Sequence, residues 1–147
     1  MSDKHLLNIY FERLEKIEDP SALVVTTHAF CEHIINEILA ERKKTKTKNK
    51  YINNSSSYIV KLDLCYNMNL LDDELFDNLM RLNTLRNKCA HGVNVDFEKI
   101  DHNYNLVDKI FNVEKETDIK NKVINISANT LLLLNNHAIE MGVNLKI

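Results

Sequence analysis

Glycine and proline are almost missing from this sequence. Its 147 residues include two glycines, Gly92 and Gly142, and one proline, Pro20. A β-sandwich or barrel needs a turn every ~8–12 residues, and turns draw on both residue types. Three such residues cannot supply them. The same scarcity excludes a Gly-rich phosphate loop and a dinucleotide-binding glycine fingerprint. Cysteine is sparse too. Cys31, Cys65 and Cys89 form no CxxC pair, so neither a zinc knuckle nor a redox motif is present, and the thiols read as buried and reduced. Long apolar runs are lacking: the longest, Leu131 to Leu134, is far too short to span a bilayer. The N-terminal stretch MSDKHLLNIYFERLEK has no basic segment followed by an apolar one, so it does not read as a signal peptide. A cytoplasmic protein without a membrane partner is expected.

What is present is 44% hydrophobic residues, enough to offset chain entropy with one buried core. The length fits a single domain over residues 1–147. With β folds excluded, that domain is expected to be all-α. A net charge of −2 is not the profile of a protein that binds nucleic acid by bulk charge. The charge is uneven, however. Arg42, Lys43, Lys44, Lys46, Lys48 and Lys50 are six cations in a stretch with no acid, and taking them out of the total leaves −8 on the remainder.

Apolar spacing predicts the helices. Asp3 can cap a first one carrying Leu6, Leu7, Tyr10, Phe11, Leu14 and Ile17. Asp19-Pro20-Ser21 ends it and starts a second, from about Ala22 to Glu41. That helix has a wide apolar face of Leu23, Val24, Thr27, Phe30, Cys31, Ile34, Ile35, Ile38 and Leu39, so it should be central. A polar, basic connection over 43–57 precedes a third helix, Ser57 to Asn67. Asp72 then caps a fourth, with Leu75, Leu79, Leu82 and Cys89 as its stripe, widened by Phe76, Leu85 and Ala90. Gly92 stands where a C-cap glycine belongs. A further helix is expected from about Glu98 to Asn112, and a last one from about Lys120 to Met141. The run of four leucines within it fits a helix buried on several sides or packed on a partner chain.

The stretch Leu85-Arg86-Asn87-Lys88-Cys89-Ala90-His91-Gly92 carries the chemistry. At ~100° per residue, Arg86 and His91 lie ~140° apart around the helix, with Asn87 ~40° from His91. One helix end can thus present a guanidinium, an amide and an imidazole to a shared cleft. Arginine binds phosphate oxygens bidentately and stabilises a transferring phosphoryl group. Histidine can take a proton from a 2′-hydroxyl or give one to a leaving oxygen. Together these groups suit RNA cleavage by 2′-hydroxyl attack on the adjacent phosphate, without a metal. On spacing alone, the simpler reading is an Arg86 paired with an acid and a His91 favoured by the helix dipole.

The segment RNKCAH resembles the R-N-x-x-A-H form of the RX4-6H motif of HEPN domains, an all-α ribonuclease superfamily found in many bacterial toxins and defence proteins. The order of elements is also similar: a long apolar helix, a variable basic connection, a third helix, and a fourth that ends in the motif. Lys61 to Gly92 looks like the matching region of the related mannitol operon repressor family. The resemblance covers about residues 20–92 and leaves 93–147 as extra helices.

It implies a HEPN-like bundle of about five to six helices, with Arg86 at the scissile phosphate, Asn87 as the polar residue that follows it, and His91 as the acid/base. It further implies a homodimer through the second and fourth helices, with two motifs facing across a two-fold axis. RNA is the implied substrate, and a cognate antitoxin a possible partner. The mannitol repressor branch implies an alternative, a non-catalytic regulatory or interaction module. Lys88, Arg42, Lys43, Lys44 and Lys46 are candidates to bind RNA phosphates, and Tyr51 and Tyr58 can stack on bases, although Tyr58 suits the core better.

No cofactor and no metal are expected. His28, Cys31 and Glu32 share a face at i, i+3 and i+4, but no HExxH motif and no second cluster completes a shell. Core packing plus a surface His28–Glu32 pair is the simpler account. Glu32 or Glu37 can instead reach the cleft and orient Arg86. His5, His102 and His137 have no partner that spacing identifies.

Overall fold

A computed structural model describes residues 5–42, 57–92, 95 and 119–146. These residues form five α-helices: α1 (Leu6–Leu14), α2 (Pro20–Arg42), α3 (Tyr58–Asn67), α4 (Asp73–His91) and α5 (Ile119–Glu140). The protein is an all-α bundle. Among the described residues no helix is long and apolar enough to cross a membrane. The helix expected over 98–112 and the cations Lys43, Lys44 and Lys46 lie outside the described residues.

Local chemistry sets the helix ends. Leu7 N–H donates to His5 Nδ1 at 3.3 Å, so His5 caps α1; the expected cap Asp3 lies outside the described residues. Pro20 opens α2, where its missing N–H costs nothing, and Ser21 N–H donates to Asp19 Oδ1 at 3.2 Å. Ser57 caps α3 and Asp72 caps α4, the latter accepting from Leu75 N–H at 2.7 Å. Three helices close differently. Asn69, at φ 59°, ends α3 in a left-handed turn in which Leu70 N–H returns to Cys65 O at 2.8 Å. Gly142, at φ 85°, ends α5 in the same way, with Val143 N–H reaching Ala138 O at 3.0 Å. Gly92 does follow α4, but at φ −91°, outside the left-handed region; its N–H donates to Lys88 O at 2.8 Å.

α2 is the centre of the bundle and packs against each of the other four helices. Its ten buried residues, from Leu23 to Leu39, cover an arc of roughly 180° at ~100° per residue. Each fully buried aliphatic residue among them contributes about 1.5–3 kcal/mol. α5 lies along α2 and supplies Leu131, Leu134 and Ala138 to the same core. A short pairing of His5 with Lys146, with Leu6 N–H on Leu145 O at 3.0 Å, closes the two ends of the described chain on one another. The four expected stripe residues of α4 are buried, and so is Leu85. Ala90 is exposed, as are Ile59 of α3 and Ile139 of α5, so the apolar faces of these helices are narrower than their spacing suggests.

Gly142 has open space where a Cβ would stand, so its requirement is purely conformational. Gly142→Ala is expected to cost about 1 kcal/mol in urea denaturation, from left-handed backbone strain alone.

Candidate active site

α4 brings Arg86 and Asn87 together in its last two turns. Arg86 Nη1 donates to Asn87 Oδ1 at 2.8 Å, and both residues are half-buried. Among the described residues the guanidinium is tethered to its neighbour rather than to an acid, and a guanidinium carries further N–H donors of the kind that bind anions. His91 is the last residue of α4 and is exposed, as is Lys88. Arg86 and His91 are separated by ~7.5 Å along the axis and ~140° around it. Among the described residues no hydrogen bond joins His91 to Arg86 or Asn87. A single chain therefore presents the arginine–amide pair and the imidazole as neighbours, not as one bonded cluster. Arg42, at the end of α2, is exposed.

Behind Arg86 lies a buried polar layer between α2, α3 and α4. His28 Nε2–H donates to Asn83 Oδ1 at 2.9 Å, and the His28 ring meets the Tyr58 ring edge-on with centroids 4.4 Å apart. His28 is thus a buried residue bonded across to α4, which corrects the expectation of a surface His28–Glu32 pair. Burial holds the His28 imidazole below its ordinary range; the Asn83 bond opposes this, the Arg86 charge adds to it, and Glu32 opposes it. Burial pushes the Tyr58 phenol well above its ordinary range; Cys31, Glu32 and Cys65 add to the shift and Arg86 opposes it. Glu32 and Arg86 thus both act on His28 and on Tyr58, so the four groups share one electrostatic environment.

Lys61 completes that layer. It is 1% exposed, and its Nζ stands 3.9 Å from Glu32 Oε1. Neither the Lys61 ammonium nor the Tyr58 hydroxyl has a hydrogen-bond partner among the described residues. Glu32 therefore faces a buried lysine at ion-pair distance. Glu37 is half-buried on α2.

His28, Cys31 and Glu32, at metal-type spacing on α2, have other surroundings: His28 is bonded to Asn83, Cys31 is buried, and Glu32 stands beside Lys61. The described residues contain no group of three or more potential ligands, and burial lifts the Cys31 thiol far above its ordinary range. The Cys65 thiol is pushed up to about 12 for the same reason. Cys89, also buried, interacts with Ser21 at the start of α2. The His28–Asn83 and Ser21–Cys89 pairings together show that α2 and α4 run antiparallel, with the motif beside the α1–α2 junction.

An open cleft of about 560 Å³ lies elsewhere, lined by residues that include Tyr66, Asn67, Asp72, Asp73 and His137. It sits at the N-terminal end of α4, roughly 27 Å along the helix from His91. Its carboxylates repel phosphate, and they are already engaged, Asp72 in capping and Asp73 with the Tyr66 hydroxyl. His137 bonds to the Leu70 carbonyl, a structural tie between α5 and the α3–α4 turn.

Lys61, Asn83 and the His28–Asn83 bond were not foreseen from sequence. The spacing held a signal: Lys61 is at i+3 from Tyr58 and i−4 from Cys65, and Asn83 is at i+4 from Leu79, so both fall on apolar faces. In comparisons with known proteins, no family model, no curated sequence and no solved structure matches the chain.

Two expectations follow from the buried layer. Lys61→Met should leave stability within about 1 kcal/mol of wild type or raise it, whereas Glu32→Gln, which strands the buried ammonium, should cost about 2 kcal/mol by urea denaturation. A histidine whose folded pKa lies below its unfolded value takes up its proton more readily on unfolding, so stability falls as pH drops below about 6.5. Between about pH 6.5 and 5, wild type should lose more stability than His28→Gln, which keeps an amide donor but cannot titrate.

Proposed function

We propose that the protein is a metal-independent endoribonuclease of the HEPN type, acting on single-stranded RNA in the cytoplasm as a toxin or defence component. The observation that carries this reading is Arg86, half-buried at one end of α4 and braced by Asn87, with His91 exposed on the same helix end. Arg86 would hold the scissile phosphate. One imidazole would take the 2′-hydroxyl proton as that oxygen attacks phosphorus, and one would protonate the departing 5′-oxygen. The products would be a 2′,3′-cyclic phosphate and a free 5′-hydroxyl. Because a single chain offers one such imidazole, the two roles call for a second copy, related by a two-fold axis, and the homodimer is part of the proposal. Lys88 and Arg42 are exposed cations suited to flanking phosphates, and Lys43, Lys44 and Lys46 continue the basic run. Three buried free cysteines fit a reducing compartment.

A second reading, a non-catalytic regulatory or interaction module of the same fold, is favoured by the Arg86–Asn87 bond, since a guanidinium tied to its own helix can serve structure alone. The two readings separate on one preparation. In EDTA, wild type should cleave single-stranded RNA to cyclic phosphate ends, and His91→Ala should lower the rate about 10²–10⁴-fold with no change in Tm, because its side chain is exposed. Cleavage unchanged in His91→Ala contradicts the catalytic assignment. No cleavage by wild type, with Tm lowered in Arg86→Ala, supports the module.

A further inference from the structure

We propose that His28 and Asn83 form a positioning pair that selects the axial register of α4 against α2 and thereby fixes where Arg86 stands. The apolar contacts of these helices do not select a register by themselves. The face of α4 toward the core repeats leucine at 75, 79, 82 and 85, and the stretch of α2 that the His28–Asn83 and Ser21–Cys89 pairings set opposite them is buried and apolar at Leu23, Val24, Cys31 and Ile35. A slide of one helical turn leaves these leucines against other mostly apolar positions of α2 and moves Arg86 by about 5.4 Å. The His28–Asn83 hydrogen bond does not tolerate that slide. His28 is 1% exposed and Asn83 5% exposed, and their bond spans 2.9 Å between the two helices. Any shift strands an imidazole N–H and an amide oxygen away from water, each at the cost of an unpaired buried polar group. A buried polar pair in a mostly apolar seam specifies helix register where packing is degenerate, and the Ser21–Cys89 contact between the same two helices agrees with the register it sets.

The pair stands close to what it would position. Asn83 precedes Arg86 by three residues and Asn87 by four, so all three share one face of α4. The Tyr58 ring from α3 packs edge-to-face with the His28 ring, with centroids 4.4 Å apart. His28 and Asn83 touch no substrate in this account; they act through Arg86. The catalytic part of the test rests on the ribonuclease reading, and a second readout does not.

The test compares the wild-type chain with His28→Gln, which keeps an N–H donor, with His28→Leu, and with the double variant His28→Leu/Asn83→Leu, which replaces both polar partners by apolar groups. NMR reads the Arg86 Nε–H resonance and the backbone amides of 84–91, denaturation reads Tm, and an RNA cleavage assay reads kcat. The double variant should recover much of the Tm lost in His28→Leu alone, yet show shifted Arg86 and 84–91 resonances and a kcat about a hundredfold lower. His28→Gln should keep wild-type resonances and most of the activity. Wild-type resonances in the double variant overturn the proposal, and so does wild-type kcat in it. If wild type does not cleave RNA, the ribonuclease reading fails, and the resonances alone decide the positioning pair. If the double variant does not fold, Asn83→Ala is read by the same measurements and the same criteria.

Discussion

The burial of α2 against α4 is the constraint on which the rest of the structure depends. α2 has apolar residues over half its circumference and a neighbour on every covered side, so its position is set by the whole core. α4 takes its own position largely from α2. Its other neighbours, α3 and α5, also lean on α2. The chemistry-bearing end of α4 has no fold of its own to stabilise it. It is held by Leu82, Leu85 and Cys89 on the inner side and leaves Lys88 and His91 in solvent. Arg86 and Asn87 fall on the boundary between the two, which suits groups that must be both fixed and reachable.

The polar layer beneath that boundary is unusual in composition for a small core. A lysine, a tyrosine hydroxyl, a histidine and an asparagine are all buried between three helices, beside one glutamate at their edge. Two of these groups lack hydrogen-bond partners among the described residues, which costs stability. Proteins tolerate such costs where polar groups specify geometry or serve a site, and here the layer lies directly behind Arg86. The electrostatic consequences reach both ways: Arg86 helps keep His28 neutral, and neutral His28 can donate its proton to Asn83 without adding a second buried cation.

Much of the fold was legible because it rests on periodicity and caps. The ten buried positions of α2 include every residue its spacing marked, and Asp72 caps α4 as its position suggested. The misses share a cause. His5 caps α1 because cap choice depends on side-chain reach, which a pattern of residue types does not contain. Ala90 is exposed because a stripe's width depends on how neighbouring helices cover it. Lys61 and Asn83 sat at core spacing, but their residue types argue for the surface, and only the partner helix reveals why they are inside. The candidate site was proposed from sequence as a helix end and a set of residue types. The tether from Arg86 to Asn87 and the layer behind it were not, since both come from three-dimensional neighbours.

The central claim is that the end of α4 receives an RNA phosphate. A ¹⁵N NMR titration of the full chain with a 2′-O-methyl oligoribonucleotide, which cannot supply the attacking hydroxyl, tests it most directly. The account predicts saturable shifts confined to the last two turns of α4, including the Arg86 Nε–H and the His91 ring, together with exposed cations beside them. Absence of shifts there, or shifts centred on the Tyr66–Asp73 cleft at the opposite end of the helix, would contradict it.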